Sequence, residues 1–198
     1  EEQVYPFERP SFVQDQALTA AERGTAIHAV MEHIPWTIEP EESKIATFID
    51  TLVTRQLLTE EERNVIDPKD IQQFLQSPIA EQLRRAQKVY RELPFTYAYQ
   101  ATKESEPQLM QGIIDCFFVD ENGKGYVLDF KTDRLKKYGT KEQQIEELYR
   151  RYSVQLNLYR QAVERATQLP IGQSLIYSFD FHEVVEVPMR TIGYIEET

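Results

Sequence analysis

The sequence predicts an α/β (α+β) fold in which a mixed central sheet is flanked by helices and preceded by an N-terminal helical segment. Two observations carry this. Over roughly the first ninety residues the apolar positions recur at helical spacing, whereas from Val89 onward three successive stretches are rich in β-branched and aromatic side chains. Residues 140–167 then return to a helical period before two more strand-like stretches, an order that lays helices on a mixed sheet.

Thr19 followed by Glu22 spells a capping box, and Ile27, Val30, Met31 and Ile34 recur behind it, predicting a helix over 20–34. Ile45, Phe48, Ile49, Leu52 and Val53 write a second amphipathic helix. Asp67 before Pro68 and Ser77 before Pro78 are start signals for two shorter ones, the last carrying Ile79 and Leu83. Strands are expected over 89–99, 109–119 and 125–131, the second ending in Asp120-Glu121-Asn122-Gly123 so that the last pair forms a hairpin. In the long helix, Ile145, Leu148, Tyr149, Tyr152, Leu156, Tyr159 and Val163 form the inward stripe, and residues 174–179 and 184–189 supply the final strands.

A length of 198 residues with 41% hydrophobic side chains suits one domain, residues 1–198, with a helical part (1–87) and a sheet-centred part (88–198). Cys116 is the only cysteine, which excludes an internal disulfide, a multi-cysteine zinc site or an iron–sulfur cluster held by this chain alone and fits a reducing compartment. Without an apolar run of bilayer length or a signal-like N-terminus, the expectation is a cytoplasmic chain with no membrane partner. The opening Glu-Glu-Gln, with Pro6 and Pro10 ahead of any periodic pattern, suggests a domain of a longer chain.

The formal net charge of −11 argues against a polyanionic partner, but the balance is uneven. Residues 129–165 carry nine basic and six acidic side chains. A solvated helix face with both signs and a phosphate-facing patch account for this equally well.

The chemistry is concentrated on the predicted sheet. Asp129 and Lys131 stand two apart in Tyr126-Val127-Leu128-Asp129-Phe130-Lys131, so both emerge on one face among core-type neighbours. Buried there, the two groups are costly unless paired or bound to a metal, and an ion pair at a strand end would satisfy them. Asp115 shifts the balance, because it interrupts Gly112-Ile113-Ile114-Asp115-Cys116-Phe117-Phe118-Val119, a strand apolar on both faces. Two carboxylates from neighbouring strands can share a hard cation such as Mg²⁺, with a lysine beside them to orient the attacking water and steady charge on phosphate oxygens. His28 lies at the rim of the first helix's stripe, one turn after Gly24, whose missing side chain leaves room above the imidazole, and Gln155 and Tyr159 share a face of the long helix. Glu92, in Arg91-Glu92-Leu93-Pro94-Phe95, serves as a solvent-facing carboxylate as readily as an active-site one.

Taken in order, Gly24-Thr25-Ala26-Ile27-His28, Arg91-Glu92-Leu93-Pro94-Phe95, Gly112-Ile113-Ile114-Asp115, Leu128-Asp129-Phe130-Lys131-Thr132-Asp133 and Gln155-Leu156-Asn157-Leu158-Tyr159 resemble the motifs of the RecB-type branch of the PD-(D/E)XK nuclease superfamily. The resemblance extends to the nuclease domains of bacterial helicase–nucleases of the AddAB type. It implies a restriction-endonuclease-like core and a metal-dependent deoxyribonuclease acting as an exonuclease in double-strand-break repair and recombination. It further implies that His28, Asp115 and Asp129, with the Phe130 carbonyl, bind Mg²⁺ or substituting Mn²⁺. By the same resemblance Lys131 is the catalytic lysine, Gln155 and Tyr159 position it or the DNA, and Glu92 accompanies the carboxylates. The implied partners are single-stranded DNA, a helicase domain of the same parent chain and an AddB-like partner protein. Two other readings compete: a catalytically inactive nuclease-like module that docks or guides DNA, against which the intact Asp115, Asp129 and Lys131 count, and a partner-binding helical domain with a structural ion pair in its sheet.

Overall fold

The computed structural model describes residues 20–193, so the expected capping box has its first residue, Thr19, outside the described residues. Five helices come first: α1 (Ala20–His33), α2 (Glu42–Thr54), α3 (Glu60–Asn64), α4 (Pro68–Leu75) and α5 (Pro78–Arg85). Then follow β1 (Lys88–Tyr99), β2 (Gln108–Val119), β3 (Gly125–Lys131), α6 (Lys141–Thr167), β4 (Ile171–Ser178) and β5 (Glu183–Val187). The two start signals work as written, the Asp67 side chain accepting from the Lys69 N–H and Ser77 from Ala80; Thr140, not read as a cap, accepts from Gln143 in a reciprocal capping box. Helix α3 is the one element the apolar periodicity does not announce, being a single polar turn started by a capping box at Thr59 and Glu62.

The sheet has the spatial order β1-β2-β3-β4-β5, with β3 and β4 parallel and the other neighbours antiparallel. The parallel pair requires a crossover, and α6 supplies it. The N-terminal helices cover one face: Phe74 of α4 meets Phe130 and Tyr177 with ring centroids 5.5 and 4.9 Å apart. On the other face α6 lays Leu148 and Leu156 against Ile176, Val185 and Val187, and Tyr159 and Val163 against Ile114, Phe117 and Val127. Strand β3 is thereby buried on both sides, which explains its nearly unbroken apolar run. Cys116 of β2 is fully buried, and burial pushes its thiol up to about 12. No helix among the described residues is long and apolar enough to cross a membrane.

Arg91 joins the two halves. One of its guanidinium nitrogens reaches the carbonyls of Met31 (3.2 Å), Glu32 (2.8 Å) and Ile34 (2.7 Å), the exposed end of α1, while the guanidinium plane lies 3.6 Å over the Trp36 ring. A cation there satisfies orphan carbonyls and the negative end of the helix dipole. Burial lowers the Arg91 pKa to about 10, which leaves it charged at neutral pH. Arg91→Leu should cost about 2–4 kcal/mol in a denaturant titration, because it strands part-buried carbonyls and removes the stack on Trp36. Arg91→Lys should recover less than half, since a compact ammonium loses the planar stack on the Trp36 indole.

Candidate active site

The site forms where β2 and β3 part. Their pairing ends at Cys116 opposite Leu128, one step before Asp115 and Asp129 would face each other. Beyond that point a side chain replaces the strand: Asp115 Oδ2 accepts the Phe130 N–H at 2.7 Å. The carbonyl of the same residue lies 2.9 Å from His28 Nε2, so α1 closes the fork from the helical side. With Nε2–H donating there, Nδ1 points to Asp115 Oδ1, 3.5 Å away.

On the outer side of β2, Arg91 pairs with Cys116 and Leu93 with Ile114, which sets Glu92 across from Asp115 without a ladder pair of its own. Glu92 has φ 48°, a left-handed conformation that a non-glycine strand residue adopts at a cost of about 1–3 kcal/mol. Glu92, Asp115 and Asp129 thus form a row of carboxylates across three adjacent strands. Ligand atoms of His28, Glu92 and Asp115 all lie within 4.8 Å of one another. The convergent trio therefore includes Glu92, whereas the sequence expectation has Asp129 beside His28 and Asp115. Asp129 is only 2% exposed and turns its Oδ2 to Lys131 Nζ at 2.6 Å.

Electrostatically the row is under load. Burial and the charge of Asp115 raise Asp129 to about 6, against the pull of Lys131 and His28. Burial and then Asp115 raise Glu92 as well. Burial disfavours the His28 imidazolium, but the hydrogen bond and charge of Asp115, the charge of Asp129 and the Phe130 carbonyl outweigh it, and the net shift is upward. The chemistry of these donors, hard oxygens with one imidazole, fits a divalent cation.

The Phe130 carbonyl, expected among the metal ligands, lies against His28 with one lone pair engaged. Two expectations need amending. Gly24 makes room for β3 rather than for the imidazole, since a Cβ there would come within 2.9 Å of Thr132 Oγ1. Gln155 does not reach the lysine: its amide donates to the Tyr159 hydroxyl at 2.7 Å, and Tyr159 packs edge-on against Phe95. The group that does hold Lys131 is Tyr152, one turn before Gln155, whose ring centroid lies 4.2 Å from Nζ. Its hydroxyl donates to Asp133 at 2.8 Å, and Asp133 accepts from Arg151 at 2.6 Å. The periodicity places Tyr152 on the inward stripe; its spacing of three from Gln155 and seven from Tyr159 is the signal that could have linked it to the site.

A family model described as the PD-(D/E)XK nuclease superfamily matches residues 3–189. The chain is 39% identical over 179 residues to an ATP-dependent helicase/nuclease protein of Lysinibacillus sphaericus, a match covering 90% of this chain and 14% of that one. It is 43% identical over 183 residues to the protein of the same name from Bacillus licheniformis (88% of this chain, 15% of that one). For Geobacillus kaustophilus the figures are 38% over 192 residues, 91% and 15%. The chain therefore spans about one seventh of the length of these relatives.

The raised Asp129 pKa has a consequence for stability. Its ionised form is disfavoured in the fold, so the cost is full above about pH 6 and vanishes as pH falls towards the ordinary 3.8. In EDTA, Asp129→Asn should melt higher than the parent chain at pH 8, by roughly 2–4 °C for each ~1 kcal/mol relieved. The gap should narrow steadily on acidification; a variant that melts lower at pH 8 would contradict this.

Proposed function

Because the chain belongs to the PD-(D/E)XK nuclease superfamily, we propose that it hydrolyses DNA phosphodiester bonds with a divalent cation, Mg²⁺ or Mn²⁺, held by His28, Glu92, Asp115 and Asp129. The observation that supports this best is the row of three carboxylates beside Lys131, with His28, Glu92 and Asp115 donors within 4.8 Å of one another. Like charges this close, one of them buried, are costly without a counter-ion, and a dication is the counter-ion their chemistry suits. When bound, the cation supplies a Lewis acid that activates water and offsets charge on the phosphate.

The protein's own groups do the rest. Lys131, paired with Asp129 and held over Tyr152, keeps its ammonium beside the carboxylates, where it can donate to a non-bridging phosphate oxygen as negative charge builds there. A water oxygen attacks phosphorus in line, the bond to the leaving sugar oxygen breaks, and that oxygen gains a proton. Gln155 and Tyr159 fix the wall of α6 next to the carboxylates and orient the strand. By analogy with the names of its relatives, the chain acts as the nuclease part of a longer helicase–nuclease with an AddB-like partner. That enzyme would feed single-stranded DNA to the site as an exonuclease in repair and recombination.

Labelled single-stranded DNA should be cut with Mg²⁺ or Mn²⁺ and remain intact in EDTA. Asp129→Ala and Lys131→Ala should each lower the rate by at least about 10²-fold. If no cation supports cutting, even with a helicase attached, the chain is a docking or guiding module. Tyr152→Leu should lower kcat about tenfold while leaving KM for DNA unchanged, and Tyr152→Phe, which keeps the ring, should restore most of it. Equal losses in both variants would assign the effect to the Asp133 hydrogen bond instead.

A further inference from the structure

Of the basic side chains in residues 129–165, most are already engaged. Lys131 pairs with Asp129, Lys141 with Glu183, Arg150 with Glu147, Arg151 with Glu147 and Asp133, and Arg160 with Glu164. Arg165 is exposed at the far end of α6. The exceptions near the site are Arg134, Lys136 and Lys137, all exposed and, among the described residues, without an ion pair. Lys137 has only the ring of its neighbour Tyr138, 5.2 Å away.

The segment that carries them is built rather than loose. Leu135 is fully buried and its N–H is held by Asp180 Oδ2 at 2.8 Å. A 3₁₀ turn, Lys136–Tyr138, follows, with the Tyr138 N–H returning to the Leu135 carbonyl at 2.8 Å. Arg151 donates to the Tyr138 hydroxyl at 2.5 Å, and Gly139 takes φ 93° to lead into α6. Anchoring Leu135 and Tyr138 leaves the three intervening and flanking cations turned out to solvent. Of the nearby carboxylates, Asp133 and Glu147 are paired with Arg150 and Arg151, and Asp180, bonded to the neutral Leu135 N–H, offsets one cation at most. Arg134 follows Lys131 by three residues, so the two backbones are at most about 11 Å apart.

We propose that this β3–α6 connection is a phosphate track, on which Arg134, Lys136 and Lys137 hold the backbone of a single nucleic-acid strand next to Lys131. The proposal rests on the nuclease reading for its substrate but not for its cations. In a chain of net charge −11, three cations on a fixed segment, without an ion pair among the described residues, give a polyanion a place to bind against the overall charge. The contacts are to phosphate, so the track confers position and not base preference.

The test compares the parent chain with Arg134→Gln/Lys136→Gln/Lys137→Gln. A control, Lys44→Gln/Arg55→Gln/Lys69→Gln, removes the same charge from exposed positions in the helical part. Binding of fluorescent oligo(dT) is titrated against salt in EDTA, and cleavage kinetics are measured with Mg²⁺. The track predicts about tenfold or greater loss of affinity in the first variant. It also predicts a salt slope shallower by about 2, at roughly 0.7 per lost phosphate contact, together with a raised KM and unchanged kcat. The control should match the parent. Equal losses in both variants, or none in the first, would overturn the track while cleavage by the parent leaves the nuclease reading in place. If the parent binds but does not cut, the nuclease reading fails and the binding titration alone decides the track; if the parent does not bind, the track is wrong.

Discussion

The structure depends on how one buried peptide unit is satisfied. At the point where β2 and β3 part, the N–H and carbonyl of Phe130 lose their strand partner, and Asp115 and His28 take them up. An unpaired backbone group at this depth costs as much as a lost hydrogen bond or more. The fork can therefore open only because the same side chains that line the site also repair the ladder. Strand divergence creates the space, the repair fixes the geometry of the lining groups, and Arg91 holds α1 at the distance where His28 can reach.

The site in return carries costs that a purely structural sheet would avoid. Glu92 stands in a left-handed conformation, and Asp129 ionises reluctantly beside Asp115. Lys131 relieves part of the load, while the packing of α4 and α6 on the two faces of β3 buries Asp129 and holds the groups in place. What remains is a partly buried cluster of carboxylates beside one imidazole. In thermodynamic terms the folded chain holds a preorganised anion cluster whose repulsion the stability of the core offsets, so the proposed cation would bind with little rearrangement.

Much of this was legible in the sequence, for identifiable reasons. The period of a strand is two, so Asp129 and Lys131 had to share a face; a lone acid in the apolar run around Asp115 had no structural excuse. Caps written with side chains, at Asp67 and Ser77, located helix starts closely. The contribution of Glu92 was hidden because it depends on register and a positive φ, neither of which residue identity encodes. Tyr152 was hidden because an aromatic ring on an inward stripe satisfies the core pattern whether it touches leucine or an ammonium. Likewise, the pairing of Gln155 with Tyr159 instead of with Lys131 turns on an angle around α6 that spacing alone leaves open.

Cys116 follows Asp115 directly, yet it belongs to a different chemical world. Its thiol is fully buried and held up to about 12, so almost none of it is thiolate at neutral pH. Electrophiles and oxidants that reach the carboxylates next door will find no nucleophile there while the sheet is closed. Only an opening of β2 exposes the sulfur, and the rate at which a thiol reagent labels this single cysteine becomes a clock for the breathing of the strand that carries the site.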